Sequence, residues 1–207
     1  MQQVIAQLNF GYVYYHIVIY PEKKIKKWSE IDKKLITKYQ IKKSKFQRSR
    51  LKAKGFSNFY FMRWENIAII MHTDGQINTE INYDDKFNDF NNTPINLKIS
   101  ERITFRIKNN PSKQNKPSVF IEKNSYKNIK HTIYQIAKRG GKNEVIKQFK
   151  KLNGLPSYSG IHQQKTNLRK ALVVFCRKQN IQIKKSELPI RTKLDIVEVF
   201  DKSIYLV

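Results

Sequence analysis

The first half of the chain alternates between apolar runs typical of strands and segments with a helical repeat. Residues 10–20 carry aromatic and β-branched side chains at both odd and even positions, which predicts a central strand covered on both faces. Ser29 then offers an N-cap for an amphipathic helix whose apolar positions recur through residues 31–39. A second short helix is predicted from Ser44 to Gly55, with few apolar residues to bury.

Short strands dominate the middle of the chain. Residues 58–64 and 67–73 predict a hairpin, and the turn dipeptide Asp74-Gly75 leads to a further predicted strand over 77–82. The acidic stretch that follows, residues 83–93, shows no periodicity. Three more strands are predicted over residues 95–99, 102–108 and 118–123, with a flexible basic loop at 109–117.

From residue 124 onward the apolar spacing becomes helical. Three helices are predicted, over residues 124–139, 142–153 and 161–179. On the third helix we expect Leu168, Leu172 and Cys176 to face inward, with basic residues on the opposite side. The tail segments 194–200 and 204–207 are predicted to return as strands to the N-terminal sheet.

These elements predict an α+β fold class with two parts. Residues 1–123 would form a mixed, largely antiparallel sheet with two flanking helices. Residues 124–207 would form a small three-helix unit whose C-terminal strand returns to the sheet.

The charge of the chain is strongly basic and unevenly distributed. Its 41 lysines and arginines against 16 acidic residues give a formal charge of +25. Residues 22–54 hold 14 basic and 3 acidic residues, whereas residues 65–101 hold 2 basic and 7 acidic residues. AT-rich codon usage would explain abundant lysine but not acids confined to one segment. Because such an excess destabilises a compact state unless a polyanion neutralises it, we expect a nucleic-acid partner.

Membrane and secreted classes fit the sequence poorly. The longest strictly apolar run, Ala171–Cys176, is six residues long, against roughly 18 for a bilayer span. The N-terminus lacks the basic and apolar regions of a secretory signal. The single Cys176 excludes an intramolecular disulfide and falls on a predicted apolar helix face. We therefore expect an intracellular, cytoplasmic protein without a membrane partner.

Two basic regions carry the expected phosphate contacts, the segment 23–54 and one face of the third helix, and we expect them to act as one surface. The glycine pair Gly140-Gly141, flanked by cations, makes a candidate phosphate cradle between two helices. Two aromatic residues, Phe46 and Trp64, are candidates for stacking on unpaired bases. The full candidate nucleic-acid-binding set is Lys43, Lys45, Phe46, Arg48, Arg50, Lys52, Lys54, Trp64, Lys138, Arg139, Lys142, Lys165, Arg169, Lys170, Arg177 and Lys178.

The four histidines show no metal-binding spacing, and we assign no catalytic residue, cofactor or metal ligand. An alternative stays open in which the protein is a nuclease or phosphoryl-transfer enzyme of a mobile element. It would use His72, His131 or His162 with nearby lysines.

Two sequence patterns carry a resemblance to a known group of proteins. The first runs from Phe59 to Gly75: an aromatic run ending in Met62-Arg63, a turn, an apolar strand and His72-Thr73-Asp74-Gly75. The second is Asp32-x-x-Leu35-Ile36-x-x-Tyr39. Over about residues 12–122 the chain thereby resembles small basic proteins of bacterial plasmids and mobile elements. The resemblance implies a role linked to DNA or RNA and assigns no catalytic residue.

The expected function is therefore nucleic-acid binding without catalysis. RNA, or structured or single-stranded nucleic acid, is favoured over duplex DNA because no helix shows the spacing of base-reading residues typical of major-groove recognition. A further alternative is a subunit of a larger ribonucleoprotein, in which other proteins of the complex would also be partners.

Overall fold

The computed structural model describes residues 1–192, which form an α+β protein with two compact units. The first unit comprises Met1–Thr93 and the second begins at Pro94. The boundary expected after residue 123 therefore lies earlier in the chain. The reason is that the strands between residues 95 and 121 pair with one another in a sheet of their own.

The first unit is a four-stranded antiparallel sheet with three helices and a 3-10 segment. In chain order its elements are α1 (Gln2–Asn9), β1 (Tyr14–Ile19), a 3-10 helix (Glu22–Lys27), α2 (Trp28–Lys38), α3 (Lys45–Ala53), β2 (Phe59–Trp64), β3 (Ile67–His72) and β4 (Asn88–Asp89). The strand order is β2-β3-β1-β4. Because β1 has a neighbour on each side, it is an inner strand, as its apolar residues predicted.

A buried cluster and one ion pair attach α2 to this sheet. Ile36 and Tyr39 share a buried cluster with Phe59 and Ile70 of the sheet. Asp32 of α2 accepts hydrogen bonds from the Tyr20 hydroxyl at 2.8 Å and from Arg63 Nε at 2.9 Å.

The second unit is a three-stranded antiparallel sheet followed by three helices. Its elements are β5 (Ile95–Lys98), β6 (Thr104–Asn110), β7 (Lys116–Ile121), α4 (Lys123–Arg139), α5 (Lys142–Lys150) and α6 (Ser159–Lys178), with short 3-10 segments at Pro111–Lys113, Lys151–Gly154 and Lys185–Glu187. The helices enclose a core that includes Ile133, Val145, Phe149, Leu168 and Leu172. All three helices predicted for this half are therefore confirmed.

Helix α6 lies against the edge strand β7. The side-chain amide of Gln164 donates to the carbonyl of Ile121 and accepts from its N–H, both at 2.8 Å, and so completes the unpaired edge of the sheet. A Cβ on Gly160 would lie 2.5 Å from the carbonyl oxygen of Val119. Glycine at this position is what allows the helix to approach so closely.

Three sequence predictions about local structure are wrong. Ser29 lies inside α2, whose N-cap is Lys27. Residues 77–82 form no strand, because Gln76 hydrogen-bonds to Gly55 and Ser57 and this draws the chain away from β3. The segment 109–117 is a tight strand-to-strand connection and not a long loop. The predicted strands at 194–200 and 204–207 lie outside the described residues.

Candidate nucleic-acid interface

Helix α3 begins at a complete capping box. The Ser44 hydroxyl accepts from the backbone N–H of Gln47 at 3.2 Å, and the Gln47 side chain accepts from the backbone N–H of Ser44 at 2.7 Å. No residue of α3 is buried. The cap therefore supplies stability that a buried apolar face would otherwise provide.

The outward face of α3 carries cations and one aromatic ring. Lys45, Arg50 and Lys52 are exposed, as is Lys54 at its C-terminal end. Phe46 has 77% of its surface exposed. Phe46 and Arg50 are four positions apart and so share a helix face. The sequence between residues 42 and 64 contains no acidic residue.

Two of the predicted contact residues, one within α3 and one just before it, have internal partners instead. Arg48 is half-buried and donates to the carbonyl oxygens of Lys43 at 3.1 Å and Ile41 at 3.2 Å. The same guanidinium reaches the Tyr12 hydroxyl at 3.4 Å and lies over the Tyr60 ring. Arg48 therefore anchors α3 to the rest of the first unit, and the outward position expected for it is wrong because its guanidinium donates to these internal acceptors.

Lys43 also points inward. Its ammonium donates to the backbone carbonyl of Gln40 at 2.8 Å. Burial and the nearby Arg48 lower the pKa of Lys43. Its contribution to an outer phosphate surface is therefore smaller than that of the exposed lysines on α3.

Trp64 lies at one end of β2 with 45% of its surface exposed. It lies opposite Ile67 of β3, and Ile67 in turn lies opposite Ile19 of β1, which is also exposed. The preceding Arg63 is engaged with Asp32. Trp64 is thus accessible to a base. The neighbouring Arg63 is already paired with Asp32 and does not offer its charge to the phosphate of that base.

The predicted phosphate cradle between α4 and α5 is only partly open. Lys138 and Arg139 are exposed in the last turn of α4. Lys142 forms an ion pair with Glu187 at 2.7 Å. Since Glu187 would repel a phosphate, this site is a weaker candidate than α3.

Helix α6 has a buried lysine where an exposed one was predicted. Lys165 is 2% exposed and its ammonium donates to the carbonyl of Leu155 at 3.0 Å. It lies four positions after Ile161 and three before Leu168, both buried, so the apolar stripe of the helix includes it. The predicted position of Lys165 on the outer basic face of the helix is therefore wrong.

The other basic residues of α6 divide between two environments. Arg169 is half-buried, and its Nε has no hydrogen-bond partner among the described residues. Lys170, Arg177 and Lys178 are exposed. Spacings of seven and eight residues place these three on one face of the helix.

The candidate catalytic histidine of the first unit is a core residue. His72 is 4% exposed, its Nε2 lies 3.0 Å from the Tyr83 hydroxyl, and its ring stacks on Tyr14. Burial lowers the pKa of His72, which favours the neutral imidazole. His131 is exposed on α4, and no group of three potential metal ligands occurs in residues 1–192.

The acidic segment of the first unit is tied to α2. Lys38 donates to both Asp84 and Asp85, and the Tyr39 hydroxyl donates to Asp85. Hydrogen bonds from Lys38 and Tyr39 lower the pKa of Asp85. These carboxylates are therefore compensated within the unit, at the end of α2.

The sequence prediction missed a cleft in the second unit whose lining residues all have polar side chains, which we call the polar cleft. It has a volume of about 530 Å³ and lies between the β6–β7 connection and the first turns of α6. Its lining includes Ser112, Lys113, His162, Gln163 and Asn167. The only sequence signal was an accumulation of short polar residues in two segments some 50 positions apart.

None of the helices within residues 1–192 combines the length and the apolar character that a membrane span requires. Comparison with protein families, with curated proteins and with solved structures finds no match to this chain.

Proposed function

We propose that this protein binds nucleic acid through its phosphate backbone and that the outward face of α3 is the principal contact surface. One observation carries the proposal: α3 buries no residue, yet it is held in place by a capping box and by Arg48. A helix anchored in this way presents its cations in fixed positions instead of contributing to the core.

The charges of α3 are available to a ligand. Within residues 1–192, Lys45, Arg50, Lys52 and Lys54 take part in no ion pair. The nearest acid before α3, Asp32, is compensated by Arg63, and the nearest acid after it, Glu65, follows Lys54 by eleven positions. A polyanion is the partner that such a surface fits best, because each contact releases condensed counterions.

The exposed aromatic ring favours unpaired bases. Phe46 shares a helix face with Arg50, so a base stacked on the ring would place its phosphate near the guanidinium. Stacking of this kind contributes on the order of 1–3 kcal/mol per base and tolerates different sequences. Single-stranded segments are therefore the proposed substrate class.

A charge-matched comparison tests the proposal. The variant Lys45→Gln/Arg50→Gln/Lys52→Gln removes three charges from α3, and Lys147→Gln/Lys150→Gln/Lys151→Gln removes three exposed charges from α5 and the adjoining turn. Fluorescence anisotropy with a labelled single-stranded oligonucleotide would measure both affinities at about 50 mM salt.

We expect the α3 variant to lose about 10-fold to 100-fold in affinity and the α5 variant to lose much less. Equal losses would show that only the total charge matters and would refute the assignment to α3. Absence of binding by the wild-type protein would refute the function itself.

A further inference from the structure

We propose that the polar cleft of the second unit binds a ribose–phosphate unit of an RNA strand and makes the protein prefer RNA to DNA. This inference rests on the proposed nucleic-acid binding and adds a ligand class to it. The size of the cleft, about 530 Å³, lies within the range of small-molecule sites. One nucleotide unit is a ligand of suitable size.

The chemistry of the lining selects the ligand class. Of the ten lining residues, five carry hydroxyls, three carry side-chain amides, and the remaining two are Lys113 and His162. None is acidic, so the cleft is poorly suited to a metal ion or a cationic ligand. Groups that both donate and accept hydrogen bonds match a sugar hydroxyl, and Lys113 matches a phosphate.

Several of these polar groups are unengaged. Across residues 1–192, the side chains of Lys113, His162 and Asn167 make no hydrogen bond to the protein, and each belongs to the lining of the cleft. By contrast, Asn110 at the base is fixed, because it donates to Ser159 at 3.2 Å and accepts from the N–H of Ser112 at 3.1 Å. A rigid base with unengaged groups around it is what a preformed hydrogen-bonding site requires.

The cleft continues into the exposed basic face of α6. Gln163 and Asn167 line the cleft. Lys170 follows Asn167 by three residues and Arg177 follows Lys170 by seven, so both lie on the same side of the helix as the cleft residues. A strand with one ribose in the cleft could therefore place its neighbouring phosphates along this face. Unlike the cations alone, the cleft would distinguish ribose from deoxyribose, since only ribose has the 2′-hydroxyl.

The test compares RNA and DNA oligonucleotides of one sequence, with deoxyuridine in the DNA, by fluorescence anisotropy. We expect wild type to bind RNA about 3-fold to 10-fold more tightly, the effect of about one hydrogen bond. The variant Thr166→Val/Asn167→Leu removes a hydroxyl and an amide from the lining and keeps the branching of both side chains. Its RNA affinity should fall to the DNA value while its DNA affinity stays unchanged.

Matched variants control for folding and charge. Asn143→Leu replaces an exposed amide on α5 outside the cleft and should keep the RNA preference. Lys113→Gln should weaken binding of both nucleic acids more than Lys147→Gln does, since only Lys113 lines the cleft. If the double variant fails to fold by circular dichroism, Asn167→Ser replaces it and should also reduce the RNA preference.

Equal affinity of wild type for RNA and DNA would overturn the cleft proposal while leaving the proposed function intact. Competition by cytidine monophosphate as strong as that by the RNA strand would overturn it too, because the cleft would then serve a free nucleotide. Failure of wild type to bind either oligonucleotide would instead refute nucleic-acid binding as a whole.

Discussion

Helices α3 and α6 carry similar numbers of basic residues but use them differently. Helix α3 has no buried residue and exposes three of its four cations, whereas α6 buries six of its residues, including Lys165. Basic composition alone does not show whether a lysine meets solvent. What decides is the position of the lysine relative to the apolar stripe of its helix.

The same comparison shows two ways of holding a helix in place. Helix α6 packs through Leu168, Leu172 and Cys176 into the core of its unit and has no side-chain hydrogen bond at its N-cap. Helix α3 depends on its cap, on Arg48 and on the half-buried Leu51. The stability of α3 therefore rests mainly on polar contacts. Single substitutions of polar residues should destabilise α3 more than α6.

The largest effect is expected for Arg48→Ala. This change removes hydrogen bonds to two backbone carbonyls and the cation–π contact with Tyr60. The expected loss in the free energy of unfolding is about 2–3 kcal/mol, measured by urea denaturation. Arg50→Ala, two positions away and exposed, should change it by less than about 0.5 kcal/mol. Comparable losses in the two variants would contradict the internal role of Arg48.

A smaller effect is expected for Ser44→Ala. Loss of this N-cap should cost about 1 kcal/mol in helix stability and should increase hydrogen exchange in α3 because nothing there is buried. Ser159→Ala at the start of α6 removes hydrogen bonds to Asn110 and Ser118 but no N-cap bond. It should leave exchange in the body of that helix nearly unchanged, because core residues such as Leu168 and Leu172 hold it. Equal exchange changes in both helices would argue against the distinction drawn above.

Local signals explain which parts of the fold the sequence could predict. The helix starting at Ser44, the hairpin of β2 and β3 and the helices after residue 123 depend on residues close in the chain, and all are confirmed. The false strand at 77–82 and the boundary at Thr93 depend on pairing between distant segments. Such pairing is not encoded in a short window of sequence.

The candidate site also has one part that local sequence predicts and another that depends on contacts between distant segments. The exposed cations of α3 follow from a segment with almost no apolar residues, which sequence alone reveals. The cleft brings Lys113 next to His162 and Gln163, and only the packing of α6 on β7 makes them neighbours. The burial of Lys165 does have a sequence signal, because its spacing from Ile161 and Leu168 places it on the apolar stripe.

Lys165→Met should change the free energy of unfolding very little at neutral pH, but it should change how that free energy depends on pH. Burial and the nearby Arg191 lower the pKa of Lys165 below its usual 10.5. Between that lowered value and 10.5 the unfolded state binds more protons than the folded state, so this lysine makes the free energy of unfolding rise with pH.

The Lys165→Met variant should lose that rise and keep its stability at pH 7 within about 1 kcal/mol of wild type. Urea denaturation from pH 7 to 10 would measure both quantities. Lys170→Met, at an exposed position of the same helix, serves as the control and should follow wild type. If Lys165→Met instead kept the wild-type pH profile, the lysine would have to be solvated in the folded protein.

The smallest expected effect is on the salt dependence of nucleic-acid affinity. It is measured by neutralising exposed or buried cations of α6. If Lys170 and Arg177 contact phosphates, neutralising both should lower the slope of log affinity against log salt by about 1.4 on single strands, because each contact contributes about 0.7. Lys165→Met should leave that slope unchanged, since its ammonium is engaged with Leu155 inside the unit. Affinities at four salt concentrations would measure all three proteins. An unchanged slope in the exposed pair would exclude Lys170 and Arg177 from phosphate contact, whereas a reduced slope in Lys165→Met would contradict its buried position.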